Sequence, residues 1–278
     1  MGGRPIPGPV LIDRLAGVLL DVDGTLLSEE GEIPGAGAVV TRLRARGFPF
    51  RILTNITRRS RRSVVERLAA HGVAVDAADV LTAVCAAAGW LRRRGVTRIA
   101  PFVAADALED LEEFELVGGA VPRDAAPRGR PSAAPEAVLV GDLGEVWSHA
   151  LLNEAFRYVM GGAPLVALQM GRYWAGPSGL EVDAGAYVSA LEYATGARAT
   201  VCGKPNAEFF EAAVASLGAG LDPASVAMVG DDLWADVQGA QRAGLEGWLV
   251  RTGKYRDDAL ASSGIRPDRV LDSVADLC

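Results

Sequence analysis

The chain has 278 residues, half of them apolar and 23% charged, with a net charge of −7. That length supports one or two domains with a substantial core. The acidic balance excludes a surface that attracts nucleic acid or anionic membrane in general, so an anionic ligand needs a local positive site.

In chain order, "LAGVLLDVDGTLL" (15–27) is an apolar run of strand length that ends in acids and a glycine. "GAGAVVTRLRARG" (35–47) has helical spacing and a closing glycine. "FPFRILTN" (48–55) predicts a buried strand, and "SRRSVVERLAAHG" (60–72) a second helix closed by glycine. Strands are expected at 97–104, 136–141 and 163–168, with helices at 149–160 and 185–195. The stretch 117–136, rich in Pro, Gly, Ala and Arg, predicts an exposed loop. Alternation then resumes, with helix at 207–218, strand at 225–232, helix at 234–244 and strand at 246–250. Apolar strands alternating with helices imply an α/β fold: a doubly wound, Rossmann-like parallel sheet covered on both faces. The simplest organisation is one such domain from 1–82 and 198–278, split by a second α/β unit at 83–197. Sheets of this kind bind ligands beyond the carboxyl ends of their strands.

Asp21 and Asp23 stand where the first strand ends, and residues two apart in an extended segment point to one side. An Asp-Gly pair also makes turns. "VGDDLWAD" puts Asp231 and Asp232 at another strand end, with Asp236 one helical turn on; acids at a helix start also answer its dipole. Two such clusters on one parallel sheet bring four or five carboxylates together, where a proton or a cation must separate them. Oxygen-only ligands suit Mg²⁺. A third strand ends in Thr54 and Asn55, whose hydroxyl and amide can donate to phosphate oxygens or cap a helix.

The chain holds 28 basic side chains, of which only Lys204 and Lys254 are lysines. Beside carboxylates and a metal, a compact ammonium neutralises a bound phosphate where a planar guanidinium does not fit. Two surface lysines kept by chance are the alternative. "CGKP" is not a Walker A loop. His71 is expected as a helix C-terminal partner, His149 at the surface, and Trp147, Trp174 and Trp234 in packing. The scattered Cys85, Cys202 and Cys278 predict a reducing compartment, with neither a disulfide framework nor a zinc site. "MGGRPIPGPV" has no apolar core of signal-peptide length, and no apolar run is long enough to span a bilayer. The expectation is a cytoplasmic protein.

Strand-end "DVDGT", strand-end "TN", "GKP" and "GDDLWAD" resemble, in order, the four motifs of the haloacid dehalogenase superfamily. The insertion between the second and third motifs resembles the branch of NagD-type and 4-nitrophenylphosphatase-like phosphatases. "APLVALQMGRYW", "GLEVDAGAYVSALEYATG", "VCGKPNAEFF" and "WLVRTGKYR" resemble the phospholysine phosphohistidine inorganic pyrophosphate phosphatases and the proteins called haloacid dehalogenase-like hydrolase domain-containing protein 2.

The resemblance implies a Mg²⁺-dependent phosphatase. Asp21 would be the nucleophile and Asp23 the acid/base, and Asp21, the backbone carbonyl of Asp23 and Asp231 would ligate Mg²⁺. Asp232 and Asp236 would support the metal. Val22, Thr54, Asn55 and Lys204 would hold phosphate, with Lys204 also pairing with Asp21. The inserted unit would be a cap over the site, with Tyr173 and Asp183 of "YWAGPSGLEVD" in a substrate-facing loop. The expected partner is a small phosphorylated substrate, with no nucleic acid or membrane, and the resemblance adds a homodimer through the cap. Rival readings are a phosphonatase, phosphomutase or dehalogenase of the same superfamily, and a receiver-like signalling domain that accepts a phosphoryl group on Asp.

Overall fold

The computed structural model describes residues 11–120, 134–176 and 179–277. The chain forms two compact units. One comprises residues 1–54, 65–80 and 210–278, the other residues 55–64 and 81–209.

The first unit is built on a parallel sheet with strands in the order Arg269–Leu271, Glu246–Val250, Val226–Gly230, Gly17–Leu20, Phe50–Thr54 and Val80–Thr82. The last of these strands carries the chain into the second unit. The two central strands of this sheet, "GVLL" and "VAMVG", are buried at every residue. Strands apolar on both faces are the signature of a sheet covered by helices on both sides. Helices Ala36–Ala45, Arg61–Ala70 and Ala207–Leu217 fall where the periodicity predicts them. The segment expected as a helix at 234–244 differs. It opens as a π-helix, Leu233–Gln238, and continues as the α-helix Gly239–Arg242. The short helix Asp257–Ser263 and the edge strand Arg269–Leu271 were not expected from the sequence.

The second unit has its own five-stranded parallel sheet, in the order Thr200–Val201, Leu165–Ala167, Ala137–Val140, Arg98–Phe102 and Glu115–Leu116. Successive residues of its middle strand serve opposite cores, as the two-residue period requires. Ala137 and Leu139 pack with Trp90, Leu91 and Leu111. Val138 and Val140 pack with Phe102, Ala155, Val188 and Leu191. Helix Ala83–Arg93, unexpected from the sequence, covers the first face. Helices His149–Met160 and Ala184–Thr195 cover the second. Trp147 stacks between Phe102 and Tyr187, at 5.7 and 4.6 Å between ring centroids, as a packing residue. Trp234, expected in packing, is 54% exposed instead.

Within the "YWAGPSGLEVD" stretch, Tyr173–Gly176 pairs antiparallel with Gly179–Val182. Of the exposed loop expected at 117–136, residues 121–133 lie outside the described residues. No helix among the described residues is long and apolar enough to cross a membrane.

Candidate active site

In the first unit the register Leu20↔Val229 sets Asp21 beside the end of the Val226–Gly230 strand, and the Asp21 amide donates to Val229 O at 3.0 Å. Asp231 follows that strand. The π-turn then carries Asp236 round, with both Asp236 N and Val237 N donating to Asp232 O. Carboxylate oxygens of Asp21, Asp231 and Asp236 all lie within 4.8 Å of one another, and all three residues are buried.

Such proximity of like charges is costly unless a proton or a cation intervenes. Burial first, and the Asp236 carboxylate second, push Asp231 up to about 7. Two glycines make room for the group. A Cβ on Gly24 (φ 85°) would stand 1.9 Å from Asp231 Oδ2, and one on Gly230 would stand 2.2 Å from Asp236 Oδ2. The donor set is oxygen only, compact and anionic, which fits a hard divalent cation such as Mg²⁺.

Asp232 is turned to other work. Its Oδ1 accepts from Trp234 N and Ala235 N at 3.0 Å, capping the π-helix, and its Oδ2 accepts from Lys254 Nζ at 3.0 Å. Burial opposes ionisation there, but the Lys254 charge and the helix-start amides outweigh it and hold Asp232 below the usual carboxylate range. The Asp232 amide donates in turn to Asp236 Oδ2 at 3.1 Å. Asp23 stands apart from the three-carboxylate group. Its side chain is half exposed and accepts from Arg67 Nη1 at 2.8 Å. Val22 is buried in the turn, where its carbonyl accepts from Leu26 N and Leu27 N. Thr54 is buried at the end of its strand.

Three residues here were missed by sequence reasoning. Lys254, which lies outside the four motifs, donates its main-chain N–H to Asp231 Oδ2 at 2.7 Å besides pairing with Asp232. Thr252 Oγ1 in the same loop donates to Gly24 O. The available signal was position: "TGKY" follows the carboxyl end of the parallel strand Glu246–Val250. Arg67 had no signal, because only the fold brings the Arg61–Ala70 helix to Asp23.

The second unit carries Asn55 and Lys204. The Asn55 amide clamps the main chain of residue 204, donating to its carbonyl at 2.9 Å and accepting from its N–H at 2.8 Å. Lys204 itself is 3% exposed. Asp183 caps helix Ala184–Thr195 through Ala184 N and also accepts from Gln169 Nε2 at 2.5 Å. Tyr173 is 60% exposed on the hairpin. His71 Nδ1 lies 2.8 Å from Arg67 O at its helix end. Burial pushes the Cys202 thiol up to about 12, which leaves no nucleophile there.

Residues 18–117 match a haloacid dehalogenase-like hydrolase family model, and residues 201–277 a HAD-hydrolase-like one. Phospholysine phosphohistidine inorganic pyrophosphate phosphatase of Danio rerio is 36% identical over 271 residues, 95% of this chain and 93% of that protein. The chain belongs to the haloacid dehalogenase-like hydrolases. Another member, haloacid dehalogenase-like hydrolase domain-containing protein 2 of Bos taurus, is 37% identical over 87% of this chain and 86% of its own length.

Solved structures of the family align over both units. A 4-nitrophenylphosphatase from Thermotoga maritima has a TM-score of 0.82 at 25% identity, covering 96% of this chain and 97% of that one. A glycerol phosphate phosphatase from Mycobacterium tuberculosis in complex with magnesium has a TM-score of 0.81 at 25% identity, covering 96% and 78%. The chain is therefore a hydrolase of the haloacid dehalogenase-like family whose named relatives include phosphatases.

Proposed function

We propose that the chain is a Mg²⁺-dependent phosphatase that hydrolyses a small phosphorylated metabolite through an aspartyl-phosphate on Asp21. The observation that carries this reading is the buried group of Asp21, Asp231 and Asp236 at the carboxyl ends of neighbouring parallel strands. The phosphatase names of relatives and the magnesium complex of a structural neighbour support it.

An Asp21 carboxylate oxygen attacks phosphorus as the bond to the leaving oxygen breaks, and Asp23 supplies the proton that oxygen needs. Asp23 then takes a proton from water as the water oxygen attacks phosphorus, which frees phosphate and returns Asp21 as a carboxylate. Val22, Thr54, Asn55 and Lys204 hold the phosphoryl oxygens. Asp231 and Asp236, with Asp21, hold the cation, and Asp232 keeps Asp236 in place. Bound Mg²⁺ supplies charge neutralisation at the phosphoryl group. The second unit acts as the cap that selects the substrate and excludes water. In this reading the protein works in the cytoplasm on small molecules.

The test is phosphate release from p-nitrophenyl phosphate with Mg²⁺, repeated after chelation and dialysis and with Asp21→Asn. Activity should vanish in both. Full turnover in excess chelator would remove the metal from the reading, and full turnover by Asp21→Asn would remove the nucleophile.

A further inference from the structure

The buried charged side chains among the described residues are Asp21, Asp231, Asp236, Lys204 and Asp142. The first four belong to the motifs and Asp142 does not. A carboxylate taken out of water costs free energy unless it is fully bonded, and Asp142 is only partly bonded. Its Oδ1 accepts from Gly144 N at 2.7 Å. Its Oδ2 receives no hydrogen bond among the described residues. The nearest cation to it, Arg58 Nη1, is 3.9 Å away, beyond hydrogen-bond reach. Arg58 is itself half exposed, and its guanidinium rests against Gly144, 3.2–3.4 Å from where a Cβ on that residue would stand.

Asp142 lies just beyond the carboxyl end of Ala137–Val140, the middle strand of the second unit's sheet. Segment 55–60 runs along that edge and bonds to it at three points. Asn55 holds residue 204, Asp142 N donates to Thr57 Oγ1 at 3.2 Å, and Ser60 N donates to Asp106 Oδ2 at 3.0 Å. Three residues of chain span about 10 Å at most. Arg58 is therefore within one small molecule's length of Asn55, and all of these groups belong to one unit.

We propose that Asp142 and Arg58 form the subsite for the leaving group of the substrate. Asp142 Oδ2 accepts from an O–H or N–H on the leaving group, and Arg58 donates to an acceptor beside it. This rests on the phosphatase reading, with phosphate held at Asn55 and Lys204. The substrates it selects are phosphate esters whose leaving group carries a hydroxyl or an amine a few bonds from the ester oxygen.

The experiment compares wild type, Asp142→Asn and Asp142→Ala with Mg²⁺ on p-nitrophenyl phosphate, which offers no donor, on glycerol 3-phosphate and on O-phosphoethanolamine. Melting temperature is measured alongside. Both variants should keep p-nitrophenyl phosphate turnover. Asp142→Asn, whose side-chain oxygen can still accept from Gly144 N, should keep a melting temperature at or near wild type, whereas Asp142→Ala also loses that bond and should melt somewhat lower. KM for the donor-bearing esters should rise about ten- to a hundredfold, the range for a lost hydrogen bond to a charged group. A hydroxyl ligand is retained in part by Asn and lost with Ala, whereas an amine is lost with both.

An equal loss on all three esters, no loss on any, or a large fall in the melting temperature of Asp142→Asn would each overturn the subsite. So would a wild-type enzyme that accepts the aryl ester and neither donor-bearing one. A wild type inactive on all three would instead sink the phosphatase reading, and the subsite with it.

Discussion

Asp231 is a carboxyl with an ordinary value of 3.8 pushed up to about 7 by burial and by Asp236. In protein stripped of divalent cations the folded state holds this proton over a range where the unfolded chain has lost it. Stability contributed at low pH is therefore lost as pH rises from about 4 to 7. The melting temperature of metal-free protein should fall across that window, and the increment produced by added Mg²⁺ should grow across it. A metal-free melting temperature that rises from pH 5 to pH 7.5 would contradict the crowding of Asp21, Asp231 and Asp236. Lys204→Arg tests the buried ammonium. A planar fork in the space of a compact charge should lower kcat/KM at least tenfold, within the few-hundredfold lost with a well-placed electrostatic donor. The melting temperature gauges how much of that loss comes from strain at this buried position. Lys254→Arg keeps both the main-chain bond to Asp231 and a cation near Asp232, so it should cost much less.

The elements that carry the site are short loops after parallel strands, and their fit depends on absent side chains. Gly24→Ala would put a methyl 1.9 Å from Asp231 Oδ2. The expected outcome is a folded protein with little Mg²⁺-dependent thermal shift and activity down by two orders of magnitude or more, read by calorimetry and phosphate release. Legibility in the sequence follows the same division. Strands such as "GVLL" and "VAMVG" declare themselves because both faces are buried, so every position must be apolar. Acids at their ends were visible for the same reason. Helix Ala83–Arg93 was hidden by its run of alanines, whose apolar face makes little contrast with its neighbours. Arg67 reaches the acids through tertiary geometry alone, and Asp142, between Gly141 and Leu143, carries no signal in the sequence apart from its burial in the fold. The resemblance makes Asp232 a supporter of the metal; the contacts it makes are its own, oxygens accepting from a helix start and a lysine and an amide donating to Asp236.

At the scale of the whole molecule, a net charge of −7 meets an anionic substrate. Long-range repulsion slows encounter, and salt screens it over a Debye length of about 10 Å at 0.1 M. With Mg²⁺ held constant, kcat/KM for a phosphate monoester should therefore rise with added KCl. A steep fall would mean that the basic run Arg58–Arg62 dominates the approach of the substrate.

The bond from the amide of residue 254 to Asp231 belongs to the backbone and is indifferent to which side chain residue 254 bears. An inventory of tolerated substitutions would record position 254 as permissive for this contact, with proline alone forbidden, since proline has no N–H to give. The constraint would surface in a different kind of change. Lengthening or shortening the four-residue stretch 251–254 by one residue would carry the amide away from the carboxylate, so this contact constrains the length of the loop rather than the side chain at 254.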